Sequence, residues 1–285
     1  MEWIKIPYRA AWRLVMVDEG LELSGYIAFA AFLSLFPFLI FLATLAGFLG
    51  DRETANEFIQ AMFHFMPKDV AETLAPAVRE VVGVRERGLL TLSILATLWF
   101  ASSGVEALRS GLNRAYKVGE ERAIWWLRLQ SIAVVIVSAV ITFFLSLAVI
   151  FGPLVWRLFG SDIDEILETR LAFTTMRYLL AVVLLIGALL LLHRSLPNTT
   201  QRFADVLPGV CVTAVLWLGG ASLFSWYVGN LANYALFYGS LGGVAITLVF
   251  FYLTAIIFIF GAEFNAVWRE RVDRRPERAA GDPQS

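Results

Sequence analysis

Four polar side chains fall in a register that a helix would gather onto one side. Ser102, Glu106, Arg109 and Asn113 follow one another at spacings of four, three and four, which is one helical face. A second group closes a long apolar run: Glu263 and Asn265, in Gly261-Ala262-Glu263-Phe264-Asn265. Carboxylates, a guanidinium and amides in such an array can carry a proton or an ion, or hold an anion. Both glutamates are expected near the C-terminal ends of their helices, where the dipole disfavours an anion. An arginine partner would offset this, and Arg109 or Arg114 is available at the same depth. Two roles fit. The charges anchor helix ends and hold the bundle together, or they line the inner mouth of a substrate path.

Other chemistry is sparse. His64 and His193 are expected on opposite sides of a membrane, which disfavours a paired-histidine metal site within one chain. No phosphate-binding glycine loop, CxxC pair or HExxH motif is present, so no catalytic residue, metal ligand or cofactor is expected. Cys211 is the single cysteine and lies in an apolar run; it reads as a small lipid- or helix-facing residue. Asp162, Asp164 and Glu165 read as a solvated acidic loop.

These groups must be positioned by helices in lipid. Of 285 residues, 59% are hydrophobic and 16% charged, against about a quarter charged in soluble domains. Long charge-free runs alternate with charged clusters, as when lipid is the solvent for the runs. The fold expected is an all-α polytopic bundle of six transmembrane helices, at about 24–50, 88–108, 129–156, 171–192, 206–228 and 241–262. The first carries Pro37, which should kink it. The fourth requires Arg177 to reach an interface. The last two come from one run, 206–262, with 57 uncharged residues. A turn containing Gly229, Asn230, Asn233, Gly239 and Ser240 would divide it. Tyr234 and Tyr238 there read as interfacial belt residues. Pro37, Gly104, Ala43/Gly47 and Ala221/Ser225 read as points of close helix approach.

The flanks differ from this membrane domain, which covers 23–266. Residues 1–22 should form a cytoplasmic interfacial helix, with Trp3, Tyr8, Trp12 and Val15 near one face and Arg9 and Arg13 elsewhere. Apolar residues at helical spacing in 52–87 suggest two amphipathic helices in the first outer loop. Residues 267–285 read as a cytoplasmic tail, disordered at its end. Lys and Arg number 15 on the side of the termini and 8 on the other, which places both termini in the cytoplasm. The net charge of -1 implies no nucleic-acid partner.

Several blocks carry a family resemblance. Tyr26-Ile27-Ala28-Phe29-Ala30-Ala31-Phe32-Leu33-Ser34-Leu35-Phe36-Pro37 resembles the first-span signature of the YihY/virulence factor BrkB family of bacterial inner-membrane proteins. So does Leu108-Arg109-Ser110-Gly111-Leu112-Asn113-Arg114-Ala115-Tyr116. Leu196-Pro197-Asn198, Asp205-Val206-Leu207-Pro208-Gly209, Tyr238-Gly239-Ser240-Leu241-Gly242 and Gly261-Ala262-Glu263-Phe264-Asn265-Ala266 follow in family order. The resemblance implies a six-span protein of the bacterial inner membrane. It supplies no established catalytic or ligand residues. The family has carried the label ribonuclease BN, and this sequence has no cluster of metal ligands or paired acid and base to support it.

The function expected is a transporter or flippase-like exporter of an envelope-related or amphiphilic substrate. Its partners would be the lipid bilayer and a lipid-linked or small-molecule substrate, and a homo-oligomer stays open. Glu106 and Glu263 are the candidate ion-coupling groups. Arg109 and Arg114 are the candidate anion contacts, with Asn113 and Asn265 beside them. The alternative is a non-transporting scaffold in envelope assembly.

Overall fold

A computed structural model describes residues 5–49, 87–138, 167–230 and 240–280. Regular structure among them is entirely α-helical. In chain order the helices are α1 (Lys5–Met16), α2 (Gly20–Leu49), α3 (Arg87–Ala115), α4 (Ile124–Ser138), α5 (Leu167–Ser195), α6 (Phe203–Asn230) and α7 (Ser240–Ala280). Outside the described residues lie His64, the acidic loop with Asp162, Asp164 and Glu165, most of the amphipathic stretch 52–87, and Asn233, Tyr234, Tyr238 and Gly239 of the outer turn.

Charge-free sequence produces the long helices. The run 206–262 is shared between α6, which ends at Asn230, and α7, which begins at Ser240. Phe203–Val228 and Gly242–Val272 have mean hydropathies of 1.8 and 2.5. At 1.5 Å per residue each exceeds the roughly 30 Å of bilayer hydrocarbon. Their sides carry bare apolar residues: Val215 is 69% exposed and Leu223 66%. Met176 and Leu179 of α5 and Leu92 and Leu95 of α3 are likewise exposed, a surface suited to lipid rather than water. Cys211 is exposed too. Pro37 lies inside α2, which is helical on both sides of it.

Three expectations change. Helix α3 runs on to Ala115 and α7 to Ala280, so Glu106 and Glu263 are interior helical residues and the dipole argument does not apply to them. The same extension makes helix of the expected tail as far as Ala280, and the last five residues of that tail lie outside the described residues. Gly104, expected at a close helix approach, has no neighbour within 4 Å of a built Cβ among the described residues.

Helix ends are set by local chemistry. At the end of α3 the Tyr116 N–H donates to the Leu112 carbonyl at 3.0 Å and the Val118 N–H to the Asn113 carbonyl at 2.9 Å. Lys117 between them has φ 56°, the left-handed conformation that closes many helices and usually falls to glycine. Glu19, in the turn joining α1 to α2, has φ 50°. Asp205 in the first turn of α6 complements the positive end of that helix.

The core gathers at one end of the bundle. Leu14 of α1, Ile27 of α2, Val105 and Leu112 of α3, Leu196 after α5, and Phe258, Ile259 and Ala262 of α7 form one buried cluster. Helix α7 is the hub and touches α1, α2, α3 and α6. Helix α1 docks on it through Ile6 and Ala10 against Val267, beside Phe260, Phe264 and Trp268. Its opposite face leaves Tyr8, Trp12 and Met16 exposed.

Candidate functional site

The polar residues concentrate at this same end, in three linked groups. The first is centred on Arg13. The buried face of α1 is Ile6, Ala10, Arg13 and Leu14, so the arginine points into the protein with the apolar residues. Its Nε lies 3.3 Å from Glu263 Oε2 and 3.6 Å from Asp18 Oδ2, and its Nη1 donates to Glu270 Oε1 at 2.9 Å. Glu263 is 0% exposed. Neither of its carboxylate oxygens accepts a hydrogen bond among the described residues. A buried carboxylate held by Coulomb attraction alone is poorly compensated for its loss of water.

The second group joins α6 to α7. The Gly209 N–H donates to Asn265 Oδ1 at 2.6 Å, and Asn265 Nδ2 donates to the Tyr116 hydroxyl at 3.4 Å. The helices cross here with no room for a side chain. A Cβ on Gly209 would collide with the Gly261 carbonyl oxygen and the Asn265 side chain, and one on Gly261 with Thr213 Oγ1. Close backbone approach and interhelical hydrogen bonds are the forces that join helices in lipid. Burial raises the Tyr116 phenol to about 12, so this hydroxyl keeps its proton at neutral pH.

The third group ties the segment after α3 to α4 and to the end of α5. Asn113 donates to Glu120 Oε2 at 2.9 Å and accepts from the Asn198 N–H at 2.8 Å. Arg122 holds Glu120 through two bonds of 2.7 Å and also reaches the Leu196 carbonyl at 2.7 Å. These Arg122 bonds lower the Glu120 carboxyl to about 2. Arg109 donates to Ser131 Oγ at 2.6 Å and to the Leu127 carbonyl at 3.0 Å. Arg128 of α4 donates to Glu106 at 2.7 Å and lies over the Trp99 ring at 4.2 Å, a cation–π contact.

The expected array is thus partly gathered and partly dispersed. Ser102, Arg109 and Asn113 are buried on one side of α3, whereas Glu106 is half-exposed. The expected pairing of the glutamates with Arg109 or Arg114 is corrected. Glu106 takes Arg128, Glu263 takes Arg13, and Arg114 takes Glu19 at 2.6 Å. The arginines of α4 and α1 lie closer to these acids than the arginines of α3 do. His193 is fully buried, with Nδ1 2.9 Å from the Leu189 carbonyl and its ring against Phe258.

Sequence reasoning passed over Arg13, Asp18, Glu120, Arg122 and Arg128. For Arg13 a signal existed. It shares the i, i+4, i+7, i+8 pattern of Ile6, Ala10 and Leu14, and a charge set into an apolar stripe requires a buried partner.

Four of the six sequence blocks that resembled a family meet in space. Asn113 and Tyr116 from one block, Leu196 and Asn198 from another, Gly209 from a third and Asn265 from a fourth are joined by the contacts just described. A family model described as virulence factor BrkB matches residues 11–284. The chain belongs to the virulence factor BrkB family. A Bacillus subtilis (strain 168) relative named as ribonuclease-like, YfkH, is 32% identical over 90% of this chain and 92% of its own. A UPF0761 membrane protein of Tolumonas auensis is 26% identical over 91% of this chain and 84% of its own. One of Pseudoalteromonas atlantica is 25% identical over 87% and 81%. No solved structure matches. With these relatives and the lipid-suited helix faces, this BrkB-family chain is a helical membrane protein.

Proposed function

We propose that this chain is a six-span transporter of the bacterial inner membrane, flippase-like, exporting an amphiphilic or envelope-related substrate. Both termini face the cytoplasm, and the chain itself performs no covalent chemistry. The observation that carries this reading is Glu263, a carboxylate with no exposure whose charged contact is Arg13 at 3.3 Å. Buried ionisable groups are costly in a membrane protein, and function is the default reason to retain them. A pair whose attraction barely offsets its desolvation suits a latch that opens and closes. In this reading Arg13 and Glu263 hold α1 against α7 and shut the cytoplasmic end. Uptake of a proton or ion by the carboxylate, or arrival of an anionic substrate at the arginine, releases it. Glu106 and Arg128 form a second, more exposed pair on the same side.

The experiment is transport in proteoliposomes with fluorescent amphiphiles, alongside growth under envelope stress. Glu263→Gln should abolish coupling to an ion gradient while leaving the protein folded. Absence of movement in the parent protein, with full cellular function in Glu263→Gln, would refute the transporter.

The scaffold reading is favoured by one observation. A groove at this end reaches Arg13 but is not lined by Glu263 or Glu106, and the Gly209–Gly261 crossing beside it is tightly packed. A scaffold predicts a stable partner on gentle detergent extraction and no effect of Glu263→Gln. The name of the Bacillus subtilis relative raises RNA hydrolysis, which we do not adopt. The clustered acids Glu106, Glu120, Glu263 and Glu270 are each engaged by an arginine, which disfavours them as metal ligands or general bases.

A further inference from the structure

The groove that reaches Arg13 carries exposed residues that the latch does not use. It measures about 530 Å³ and opens between α1, the end of α3 and α7, lined by Tyr8, Arg9, Trp12, Arg13, Val17, Lys117 and Glu270. Three of the seven are cationic and one is acidic. Arg13 is already saturated by Glu270 and Glu263 at 2.9 and 3.3 Å. Arg9 is not: its side chain is 55% exposed and its approach to Glu270 is long, 3.7 Å. The Lys117 backbone N–H donates to the Arg114 carbonyl at 3.0 Å, while its side chain is exposed at the mouth of the groove. Glu270 is shared between Arg13 and Arg9, so the lining carries more positive than negative charge and its exposed cations are Arg9 and Lys117.

Lys117 is also in an uncommon conformation. Its φ of 56° is one that glycine adopts freely and that costs other residues about 1–2 kcal/mol. The lysine at this helix-capping position thus sets a cation on the groove at that conformational cost. The rest of the groove is amphipathic. Tyr8 and Trp12 are the aromatic types that settle at the level of lipid headgroups. They continue into exposed Val17 and Met16. A ligand that fits has a phosphate at Arg9 and Lys117 and an apolar portion along the outer face of α1.

We propose that this groove is a binding site for the phosphate headgroup of an anionic phospholipid, held between the exposed cations Arg9 and Lys117 with its chains against Trp12 and Val17. The site would make lipid composition a determinant of how α1 sits on α7. It stands whether the protein transports or scaffolds, since it requires only a membrane.

The test is native mass spectrometry of the full chain in neutral detergent doped with phosphatidylglycerol or phosphatidylcholine. Phosphatidylglycerol should be retained over phosphatidylcholine. Each charge should be worth about five-fold in affinity, so that Arg9→Gln with Lys117→Gly together reduce phosphatidylglycerol binding about 30-fold. Lys117→Gly suits its backbone conformation, so loss of binding there cannot be attributed to a strained turn. Phosphatidylcholine binding should not change, and Lys5→Gln, outside the groove, should alter neither. Equal retention of the two lipids, or unchanged selectivity in the double variant, overturns the proposal. Inorganic phosphate or glycerol phosphate displacing the lipid at micromolar concentration also overturns it, and assigns the groove to a soluble phosphate ester.

Discussion

Arg13 and Glu263 should respond very unequally to removal of their charge, although they form one pair. Arg13→Met strands three carboxylates: Glu263 with a side chain 0% exposed, Asp18 at 11% and Glu270 at 35%. Removing one partner of a buried ion pair costs about 3–5 kcal/mol. The lower end is expected, because Glu270 can turn to water and to Arg9. Glu263→Gln is the opposite case. Arg13 keeps Glu270 at 2.9 Å and Asp18 at 3.6 Å, and the variant removes a desolvated charge that accepts no hydrogen bond among the described residues. Its net effect should fall within about 1 kcal/mol of zero, in either direction. Adding Glu263→Gln to Arg13→Met should recover about 1–3 kcal/mol of the loss, since the most deeply buried stranded charge is then gone. The measurement is denaturant unfolding in detergent micelles, followed by tryptophan fluorescence and by helical circular dichroism. If Glu263→Gln costs as much as Arg13→Met, the carboxylate is better compensated than its contacts imply and the latch reasoning fails. If both cost under about 0.5 kcal/mol, the typical scale of exposed pairs, the pair is not buried.

Three further outcomes follow from the same geometry. Gly209→Ala and Gly261→Ala should each lower stability by about 1–3 kcal/mol in the same assay, because the added methyl group meets the Gly261 carbonyl and Asn265 in the first and Thr213 in the second; an unchanged midpoint would show that α6 and α7 can part there without cost. Glu120 is lowered from 4.5 to about 2 by its Arg122 bonds, so its contribution is complete above pH about 4.5 and is lost as pH falls toward about 2. The parent protein should therefore lose stability across that window relative to Glu120→Gln, and parallel profiles would refute the linkage. Lys117→Gly should leave stability unchanged or raise it by up to about 1 kcal/mol, the relief of φ partly offset by a freer unfolded chain; a loss above about 1 kcal/mol would show that the lysine side chain holds the turn.

The helical architecture was legible because lipid makes charge-free sequence almost diagnostic. Removing water leaves the backbone helix or barrel as its options, and the division of 206–262 between α6 and α7 followed from where its turn-compatible residues lie. Helix ends were less legible. Hydropathy reports where lipid stops, whereas α3 and α7 continue beyond that point as polar helix, so Glu106 and Glu263 were placed too near a terminus. The residues of the candidate site were half visible. Asn113, Arg109 and Asn265 were found by spacing on one element. Their partners Glu120, Ser131 and Gly209 come from other elements, and no periodicity within one segment reveals a contact between segments. Gly104 misled for a related reason, since a small residue permits close approach without requiring it.

The pairing of Arg13 with Glu263 and Glu270 also bears on how the molecule is made. The two ends of this ion cluster are 257 residues apart. At roughly 5–20 residues per second of synthesis, the arginine waits on the order of ten seconds to a minute before either glutamate exists. Helix α1 is made well before the helix on which it docks. Until α7 arrives, Leu14 can pack on α2 and α3, but Ile6, Ala10 and Arg13 lack the partners that α7 supplies. Joining α1 to α7 therefore closes the bundle as a clasp and makes synthesis of α7 a condition of its final assembly.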